Sequence, residues 1–209
     1  LFDNTQRNMV YGCNLCRLCT AVCPKGLDPS AMFLEMRREA VLSGLGDYRA
    51  HRRVLNYERL GTSKRYSWYG LPKNCDTVFF PGCTLSGTRP GKVFAFYEYL
   101  KTHIPNVGIV LDCCTKPSHD LGRQDYFQNM FNEMKGFLLE NGVRKILVAC
   151  PNCYRVFKEY APEMIITTAY EFMANDGIPS RRTTGEIVTV HDPCALRFDE
   201  AIHLAVRQL

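Results

Sequence analysis

Short apolar runs alternate with longer amphipathic segments over the second half of the chain. The apolar runs are TVFF at Thr77–Phe80, VGIVLD at Val107–Asp112, KILVAC at Lys145–Cys150, MIIT at Met164–Thr167 and EIVTV at Glu186–Val190. The segments between them repeat their apolar residues every three or four positions. One such segment carries Phe127, Phe131, Met134 and Leu138 on a single helical face. Strands that alternate with helices predict a parallel sheet covered by helices.

The first part of the chain has helical rather than strand periodicity. In LDPSAMFLEMRREAVLSG, Asp28 is a candidate N-cap, Pro29 stands at the first helical position and Gly44 is a stop signal. Residues 47–70 are basic and rich in tyrosine, which predicts a short helix and a linker. His51 and the arginines beside it could form a docking patch, although a solvated helix face is the simpler interpretation. The whole pattern predicts a mixed α+β and α/β protein.

The composition is typical of a folded chain. Of the 209 residues, 46% are apolar and 22% are charged, and the net charge is +5. Without a dense run of lysine and arginine, nucleic-acid binding is not predicted. No apolar run is long enough to span a bilayer and no signal-peptide pattern is visible, so we predict a cytoplasmic protein. We expect part of a longer protein, because the chain starts without Met and Glu200–Leu209 has no stop signal.

Cysteine is the informative residue type, because the eleven cysteines occur in groups. They are Cys13, Cys16, Cys19 and Cys23, then Cys75 and Cys83, then Cys113 with Cys114, then Cys150 with Cys153, and finally Cys194. Adjacent and C-x-x-C cysteines make poor disulfide frameworks, whereas a metal needs several thiolates from a short stretch of backbone. The grouping predicts metal binding in a reducing compartment.

The first group, GCNLCRLCTAVCP at residues 12–24, has the spacing C-x2-C-x2-C-x3-C-P. A loop with this spacing can wrap three or four thiolates around a 4Fe-4S cluster, after which the proline turns the chain away. The alternative is a zinc site with four thiolates, but zinc sites usually pair two C-x-x-C units across a longer insert. In two-cluster ferredoxins the fourth cysteine serves the neighbouring cluster, so Cys23 is a less secure ligand than Cys13, Cys16 and Cys19.

The later cysteines follow the predicted strands. Cys83, the pair Cys113 and Cys114, the pair Cys150 and Cys153, and Cys194 each lie just beyond the carboxyl end of an apolar run. Binding sites of parallel sheets gather at that edge, so cysteines after four strands indicate a common site. DTVFFPGCTL and EIVTVHDPCAL share an apolar strand, a turn with proline and Cys-x-Leu, which predicts that a second copy of the sheet domain begins near Glu186.

The adjacent pair Cys113 and Cys114 raises a geometric question. Neighbouring residues of an extended chain point to opposite sides, so both sulfurs can reach one site only if the backbone turns sharply. TKPS directly after the pair predicts such a turn. A pair of adjacent ligands indicates a larger or irregular cluster, or one ligand beside one reactive thiol.

FFPGC, CC and CPNC together resemble the cysteine-rich domain of the heterodisulfide reductase family, which has a Cys, a Cys-Cys-Gly and a C-x-x-C. CNLCRLCTAVCP followed by PSAMFLEMRREAV resembles the helical ferredoxin domain commonly fused ahead of it. The resemblance implies a helical 4Fe-4S ferredoxin-type domain in residues 1–46, a linker in residues 47–75, a cysteine-rich α/β domain in residues 76–180 and a truncated second copy in residues 181–209.

The resemblance also implies a second iron-sulfur cluster, of the non-cubane type, which faces a substrate disulfide or an electron partner. The cysteines that match the family's five ligands are Cys83, Cys113, Cys114, Cys150 and Cys153. The chain departs from the family's pattern at Thr115, where the family has Gly. It also departs in residues 181–209, where the CC and C-x-x-C of the second copy are absent.

We therefore predict an iron-sulfur oxidoreductase subunit that passes electrons from the ferredoxin-type cluster to the second cluster. Similar proteins are subunits of lactate, glycolate and glycerol 3-phosphate oxidising systems. No Gly-rich dinucleotide-binding motif is visible, so a flavin or nicotinamide would be bound by a partner. That partner would be a flavoprotein or a quinone-reactive membrane subunit, which could hold the chain at the inner face of the membrane. The alternatives are a non-catalytic electron relay and a zinc-stabilised interaction module.

Four further residues near these motifs have simple interpretations. Cys75 precedes the first predicted strand and is interpreted as a free thiol rather than an extra ligand. His119 could donate a proton to a leaving thiolate, but a histidine that caps the loop is the simpler interpretation. His191 is expected to fix the HDP turn by hydrogen bonding. Lys116 could lower the pKa of a nearby thiol, although a solvated lysine is the default.

Overall fold

The computed structural model describes residues 9–46, 48–176 and 185–209. These residues fall into two compact units. The first unit takes its residues from Leu1–Ser67 and Cys113–Gly136, and the second from Trp68–Asp112 and Phe137–Leu209. Helices are combined with a five-stranded, mostly parallel sheet, which is compatible with the predicted α/β class. No helix within the described ranges is long and apolar enough to cross a membrane.

The sheet lies in the second unit and has the strand order β1-β3-β2-β4-β5. Its strands are β1 Trp68–Gly70, β2 Thr77–Phe80, β3 Gly108–Leu111, β4 Lys145–Val148 and β5 Ile165–Thr168. The strand β2 pairs in parallel with β3 on one side and with β4 on the other, and β4 pairs in parallel with β5. The first four apolar runs of the second half are therefore confirmed as strands.

Two segments differ from the prediction. Residues 68–70, placed in the linker, form β1 because they pair antiparallel with β3 at an edge of the sheet. The strand predicted at Glu186–Val190 is wrong, since this segment has no strand structure and Ile187 is 101% exposed. An extended segment needs a neighbour for its backbone hydrogen bonds, and none of the described strands pairs with this one. Residues 181–184 of the predicted second copy lie outside the described residues.

The helices carry the labels α1 to α10 in chain order. They are α1 Leu18–Val22, α2 Pro29–Leu42, α3 Arg52–Gly61, α4 Cys83–Thr88, α5 Pro90–His103, α6 Lys116–Asp120, α7 Gln124–Glu140, α8 Pro151–Tyr160, α9 Ala169–Asp176 and α10 Glu200–Gln208. Residues 9–12 are also helical, and 3-10 turns span Arg49–His51 and Cys194–Leu196. The predicted cap of α2 is confirmed, because the Asp28 carboxylate accepts from the backbone N–H groups of Ser30 and Ala31 at 3.0 and 3.1 Å.

The second unit has apolar packing on both faces of β2. Phe79 belongs to a cluster with Leu100 of α5 and Ile109 of β3. Phe80, the next residue, packs edge to face against Phe157 of α8, with ring centroids 5.1 Å apart. Successive strand residues point to opposite faces, so both faces of this central strand are buried. The predicted face of α7 is also confirmed, because Phe127, Phe131, Met134 and Leu138 are all buried.

Candidate metal centres

The first cysteine loop is held in a tight wrap. Leu15 and Arg17 both adopt the left-handed conformation, with φ of 49° and 59°. The backbone N–H of Leu15 donates to the sulfur of Cys13 at 3.4 Å. Hydrogen bonds from backbone N–H groups to sulfur are among the features that tune iron-sulfur clusters, so this loop already has one interaction that suits such a ligand.

Two side chains connect this loop to α2. The backbone N–H of Arg17 donates to the Ser30 hydroxyl at 3.2 Å, and the Thr20 hydroxyl donates to the Asp28 carboxylate at 2.8 Å. Thr20 belongs to α1, which also contains Cys19 and has Cys23 as the residue that caps its C-terminal end. The residue that caps α2 therefore also fixes the position of α1.

Arg37 of α2 is a buried residue that the sequence analysis missed. It is 3% exposed, and its guanidinium donates to three backbone carbonyls, those of Val10, Cys13 and Asp120. Burial lowers the pKa of Arg37, and the nearby Cys13 and Asp120 oppose this effect. Arg37 thus links the start of the first cysteine loop to the end of α6. Ser30, Arg37 and Ala40 are the buried residues of α2, and their spacing of seven and three positions puts them on one helix face. That spacing was the available sequence signal for the burial of Arg37.

The chain reverses its backbone conformation directly after the cysteine pair, at Thr115, and the predicted turn residues Lys116–Ser118 begin a helix instead. Cys113 and Cys114 follow β3 and are 3% and 4% exposed. Thr115, which comes next, is fully buried and has φ of 53° and ψ of 24°. The chain then enters α6 at Lys116. A β-branched residue is strained in this left-handed conformation, which glycine adopts freely, so the turn forms despite the substitution at Thr115.

A buried carboxylate holds this turn from α3. Glu58 is 1% exposed and accepts from the backbone N–H of Ser118 at 2.9 Å and also from the Ser118 hydroxyl. Burial raises the pKa of Glu58, although the bonds from Ser118 and the guanidinium of Arg123, 3.9 Å away, oppose the rise. The sequence analysis missed this contact. Its only signal was that Glu58 is, with Asp47, one of two acidic residues in the basic stretch of residues 47–70.

The polar residues of α6 pair with one another. Nδ1 of His119 lies 2.8 Å from the Asp120 carboxylate, and the His119 ring packs edge to face on Phe127. Lys116 also donates to Asp120. Burial alone would raise the pKa of Asp120, but the bonds from His119 and Lys116 lower it. These contacts are consistent with the interpretation of His119 as a structural residue, and Lys116 forms an ion pair rather than being solvated.

In the second unit, the C-x-x-C motif lies beside the loop that leads to Cys83. Cys83 begins α4, and Gly82 before it has φ of +82°. A Cβ atom added at Gly82 would lie 2.9 Å from Cβ of Cys150 and 3.1 Å from the sulfur of Cys153. Glycine is therefore needed here both for its backbone conformation and for the close approach of the two cysteines.

Two tyrosines pack near the C-x-x-C motif. Tyr170 donates its hydroxyl to the carbonyl of Ala149 at 3.0 Å, and its pKa is raised by burial and by Cys150. Burial, with Asp199 and Glu171 nearby, raises the pKa of Tyr154 to about 12. Both hydroxyls therefore stay protonated near neutral pH and can serve only as neutral donors or acceptors.

The remaining cysteines differ from these in position. Cys75 is buried, its thiol donates to the carbonyl of Thr77 at 3.3 Å, and burial raises its pKa. Cys194 is exposed in a 3-10 turn, and the strand expected before it is absent. His191, next to this turn, is exposed. The grouped cysteines of the second half therefore follow three strands, β2, β3 and β4, rather than four.

The donor chemistry suits iron-sulfur clusters. All eleven cysteines lie in the described residues, and none of them forms a disulfide. Within the described part of the chain, no group of three or more metal-binding side chains is arranged as a site for a single metal ion. Two features nonetheless fit cluster binding: the left-handed loop with an N–H donor to Cys13, and the space at Gly82 beside Cys150 and Cys153.

Grouped cysteines on a helical loop and after the strands of an α/β sheet are typical of iron-sulfur electron-transfer proteins. Comparisons with known proteins support this class. The chain is 24% identical over 215 residues to a component of the dihydromethanophenazine:CoB–CoM heterodisulfide reductase of Methanosarcina mazei, a match that covers 90% of this chain and 53% of the relative. It is 26% identical over 219 residues to a component of the fumarate reductase (CoM/CoB) of Methanothermobacter marburgensis, covering 96% and 44%.

A third relative is the EtfAB:quinone oxidoreductase of Syntrophomonas wolfei, 23% identical over 231 residues, which cover 94% of this chain and 32% of the relative. No family model and no solved structure matches the chain. The chain thus spans about half or less of the length of these relatives. The resemblance to heterodisulfide reductase-like iron-sulfur proteins is confirmed, and the relatives are oxidoreductases or components of them.

Proposed function

We propose that this chain is an electron-transfer subunit that binds two iron-sulfur clusters. The ligands of the first, a 4Fe-4S cluster, are Cys13, Cys16, Cys19 and Cys23. The ligands of the second, of the heterodisulfide reductase type, are Cys83, Cys113, Cys114, Cys150 and Cys153. The similarity to iron-sulfur relatives over most of the chain supports the proposal, and the grouping of these cysteines in the chain supports the choice of ligands.

The order of the strands carries the assignment of the second set of ligands. Cys83 follows β2, the adjacent pair follows β3, and the C-x-x-C motif follows β4. These three strands are neighbours and run parallel, so their carboxyl ends share one edge of the sheet. Binding sites in open α/β sheets lie beyond this edge. Five thiolates from three adjacent strand ends are enough for an irregular cluster.

The chain's own residues have separate tasks in this proposal. The loop around Leu15 presents the sulfur of Cys13 and donates an N–H bond to it. Glu58 and Arg37 hold the two ends of α6, the helix that follows the adjacent cysteines. Gly82 gives Cys150 and Cys153 the space to approach the loop before Cys83. When bound, the clusters would supply one-electron redox chemistry.

Electrons would enter at one cluster and leave at the other, with a flavoprotein or a quinone-reactive subunit as the redox partner. The relative from Methanosarcina is named as a reductase of the CoB–CoM heterodisulfide, so a disulfide is the substrate class that we propose for the second centre. Reduction of a disulfide to two thiols takes two electrons and two protons, so the partner must deliver two single electrons for each turnover.

The proposal is tested on the intact protein, purified without exposure to air. We expect iron and labile sulfide for two clusters and two distinct electron paramagnetic resonance signals after reduction. Cys113→Ser and Cys114→Ser should each lose or alter only the second signal, and Cys75→Ser, the matched control, should keep both. Stoichiometric zinc without sulfide would overturn the proposal. If both variants retained full iron and the same spectrum, the assignment of the adjacent pair would be wrong.

A second candidate is a non-catalytic electron relay between a dehydrogenase and a quinone pool. The similarity to the EtfAB:quinone oxidoreductase favours it. The two candidates differ in one measurement on the intact, cluster-loaded protein. Turnover of a disulfide with reduced viologen as the electron donor would support the reductase. Rapid cluster reduction by a flavoprotein without disulfide turnover would support the relay.

A further inference from the structure

Thr115 has a backbone conformation that a threonine rarely adopts. Its φ is 53°, in the left-handed region, and its side chain is completely buried. A β-branched residue is strained there, and such strain persists only where the surrounding structure fixes the backbone. Strain of this kind often marks a functional position, so the side chain calls for an explanation.

The hydroxyl of Thr115 is also buried without a hydrogen-bond partner among the described residues. An unpaired buried hydroxyl costs free energy, because it has given up its bonds to water. The chain therefore bears two costs at one residue, a strained backbone and an unsatisfied hydroxyl. Glycine would remove both.

The backbone N–H groups that this hydroxyl would ordinarily cap are not available to it. Thr115 is the N-cap residue of α6, and an N-cap hydroxyl normally accepts from the second or third N–H of its helix. Here the second position is Pro117, which has no N–H, and the third N–H, that of Ser118, donates to Glu58. The Thr115 hydroxyl therefore caps no N–H group of α6 and can donate its proton to an acceptor outside the helix.

The turn is fixed from several sides, which explains how the strained conformation persists. Glu58 holds the first turn of α6, and Arg37 holds its last carbonyl. Gly122, after α6, lies so close to α2 that an added Cβ would be 2.4 Å from the backbone of Arg37. The backbone N–H of His119 also donates to the Thr115 carbonyl at 3.1 Å.

We propose that the Thr115 hydroxyl donates a hydrogen bond to a sulfur atom of the second cluster, either a bridging sulfide or the thiolate of Cys113 or Cys114. This inference rests on the proposed function. Thr115 directly follows Cys114, lies two positions from Cys113 and is buried as they are. A hydrogen bond to a cluster sulfur stabilises the more negative, reduced state and so raises the reduction potential. Thr115 is thus a positioning and tuning residue rather than a ligand.

Three variants separate the hydroxyl from the backbone strain. Thr115→Val removes the hydroxyl and keeps the shape, Thr115→Ser keeps the hydroxyl, and Thr115→Gly removes both hydroxyl and strain. In the intact protein purified without air, a titration with dithionite should show a lower midpoint potential of the second cluster for the Val and Gly variants. The Ser variant should match the wild type. The first cluster should keep its potential in all three.

Thermal unfolding of the metal-free proteins gives an independent measurement. Thr115→Gly should unfold at a higher temperature than the wild type, because the strain and the unsatisfied hydroxyl are gone. A residue with a purely structural role would change this temperature without changing the potential. Thr102→Val, an exposed threonine of α5, is the control and should change neither quantity.

The outcomes distinguish this inference from the proposed function. If the wild type holds the second cluster, and Thr115→Val at equal iron content has the same potential and spectrum, the hydroxyl has no role toward the cluster. If Thr115→Val fails to load iron, the same comparison of potential and spectrum is made with Thr115→Gly, and an unchanged potential again shows that the hydroxyl has no role toward the cluster. If the wild type itself holds no second cluster, the proposed function fails, and this inference fails with it.

Discussion

The carboxylate of Glu58 accepts two hydrogen bonds from Ser118, a residue 60 positions further along the chain. Ser118 lies in the first turn of α6, so a buried side chain of α3 caps the helix that follows the cysteine pair. At the other end of α6, Arg37 of α2 donates to the carbonyl of Asp120 at 2.7 Å. Two buried charged residues therefore hold both ends of a five-residue helix, which could not be stable alone.

Glu58→Gln should destabilise the protein by about 1–3 kcal/mol at pH 5, because the amide has only one acceptor oxygen and Ser118 offers two donors. The free energy of unfolding is measured with urea on the metal-free protein. Glu133→Gln, an exposed residue of α7, is the control and should change stability by less than about 0.5 kcal/mol.

The difference in the free energy of unfolding between wild type and Glu58→Gln should depend on pH. Burial raises the pKa of Glu58 above its ordinary value of 4.5. Between the two pKa values, Glu58 of the folded protein holds a proton that the unfolded chain has released. The contribution of Glu58 to the free energy of unfolding is therefore fully present below pH 4.5 and is lost as pH rises through the folded pKa. The gap in stability between wild type and Glu58→Gln should therefore narrow as pH rises. A gap that widens would contradict this electrostatic account.

Arg37→Met should destabilise the protein by about 3 kcal/mol or more, since three backbone carbonyls lose a charged donor. Arg37→Lys should recover only part of the loss, because one ammonium group cannot reproduce the fork of a guanidinium. We also expect Arg37→Met to weaken retention of the first cluster, since Arg37 holds the carbonyl of Cys13. Urea unfolding and iron content measure the two effects. Arg53→Met, on the exposed face of α3, should leave both unchanged.

Local sequence signals predicted much of the fold. Asp28 and Pro29 marked the start of α2, and the apolar runs marked β2 to β5. These signals work because caps and strand patterns depend on residues that are close in sequence. The three-residue strand β1 was missed since it has no alternation of its own and exists only through its pairing with β3. The Glu186–Val190 run had the pattern but lacks a partner strand among the described ones.

The support of the cysteine pair could not be predicted in the same way. The turn itself was expected from TKPS, but the residues that fix it, Glu58 and Arg37, are distant in sequence. A buried charge is satisfied by whatever group folding brings to it, and no local motif records which group that is. An acidic residue inside the helical part of a basic stretch was a hint that Glu58 is not an ordinary surface residue.

The first cluster should contribute folding free energy as well as redox chemistry. Cys16→Ser should lose the signal of this cluster and lower the thermal unfolding temperature of the cluster-loaded protein, since metal binding is coupled to the folding of its loop. Iron content and spectroscopy under anaerobic conditions measure the loss. Cys75→Ser should retain both signals. Equal iron in the two variants would remove Cys16 from the ligand set.

The last helix packs within the second unit through a narrow face. In α10, Ile202 is 1% exposed, whereas Leu204 is 55% exposed. Ile202→Ala should therefore cost about 2–4 kcal/mol, and Leu204→Ala less than about 0.5 kcal/mol. Urea unfolding of the two variants checks the difference. Equal effects would mean that α10 does not pack as this burial indicates.

Gly82 offers the sharpest test of the centre beside the C-x-x-C motif. In Gly82→Ala, the new methyl group would come within 2.9 Å of Cβ of Cys150 and 3.1 Å of the sulfur of Cys153, so both cysteines must move. Gly82 also has φ of 82° and ψ of 154°, a conformation that only glycine adopts readily, so alanine would add a strain of about 1–3 kcal/mol to this clash. We expect lower stability together with loss of the second cluster, seen as about half of the iron and one of the two signals disappearing. The first cluster should remain.

The matched control is Gly91→Ala in α5, where an added Cβ meets no atom within 4 Å. Alanine is favoured over glycine in a helix by about 1 kcal/mol, so this variant should be as stable as the wild type or more stable, with full iron. Comparing Gly82→Ala with Gly91→Ala therefore separates the effect of a methyl group beside the two cysteines from the general effect of replacing glycine by alanine. Suppose that Gly82→Ala lost stability but kept both clusters. Cys150 and Cys153 would then tolerate a displacement that ligands of one cluster cannot, and they would have to be removed from the proposed ligand set.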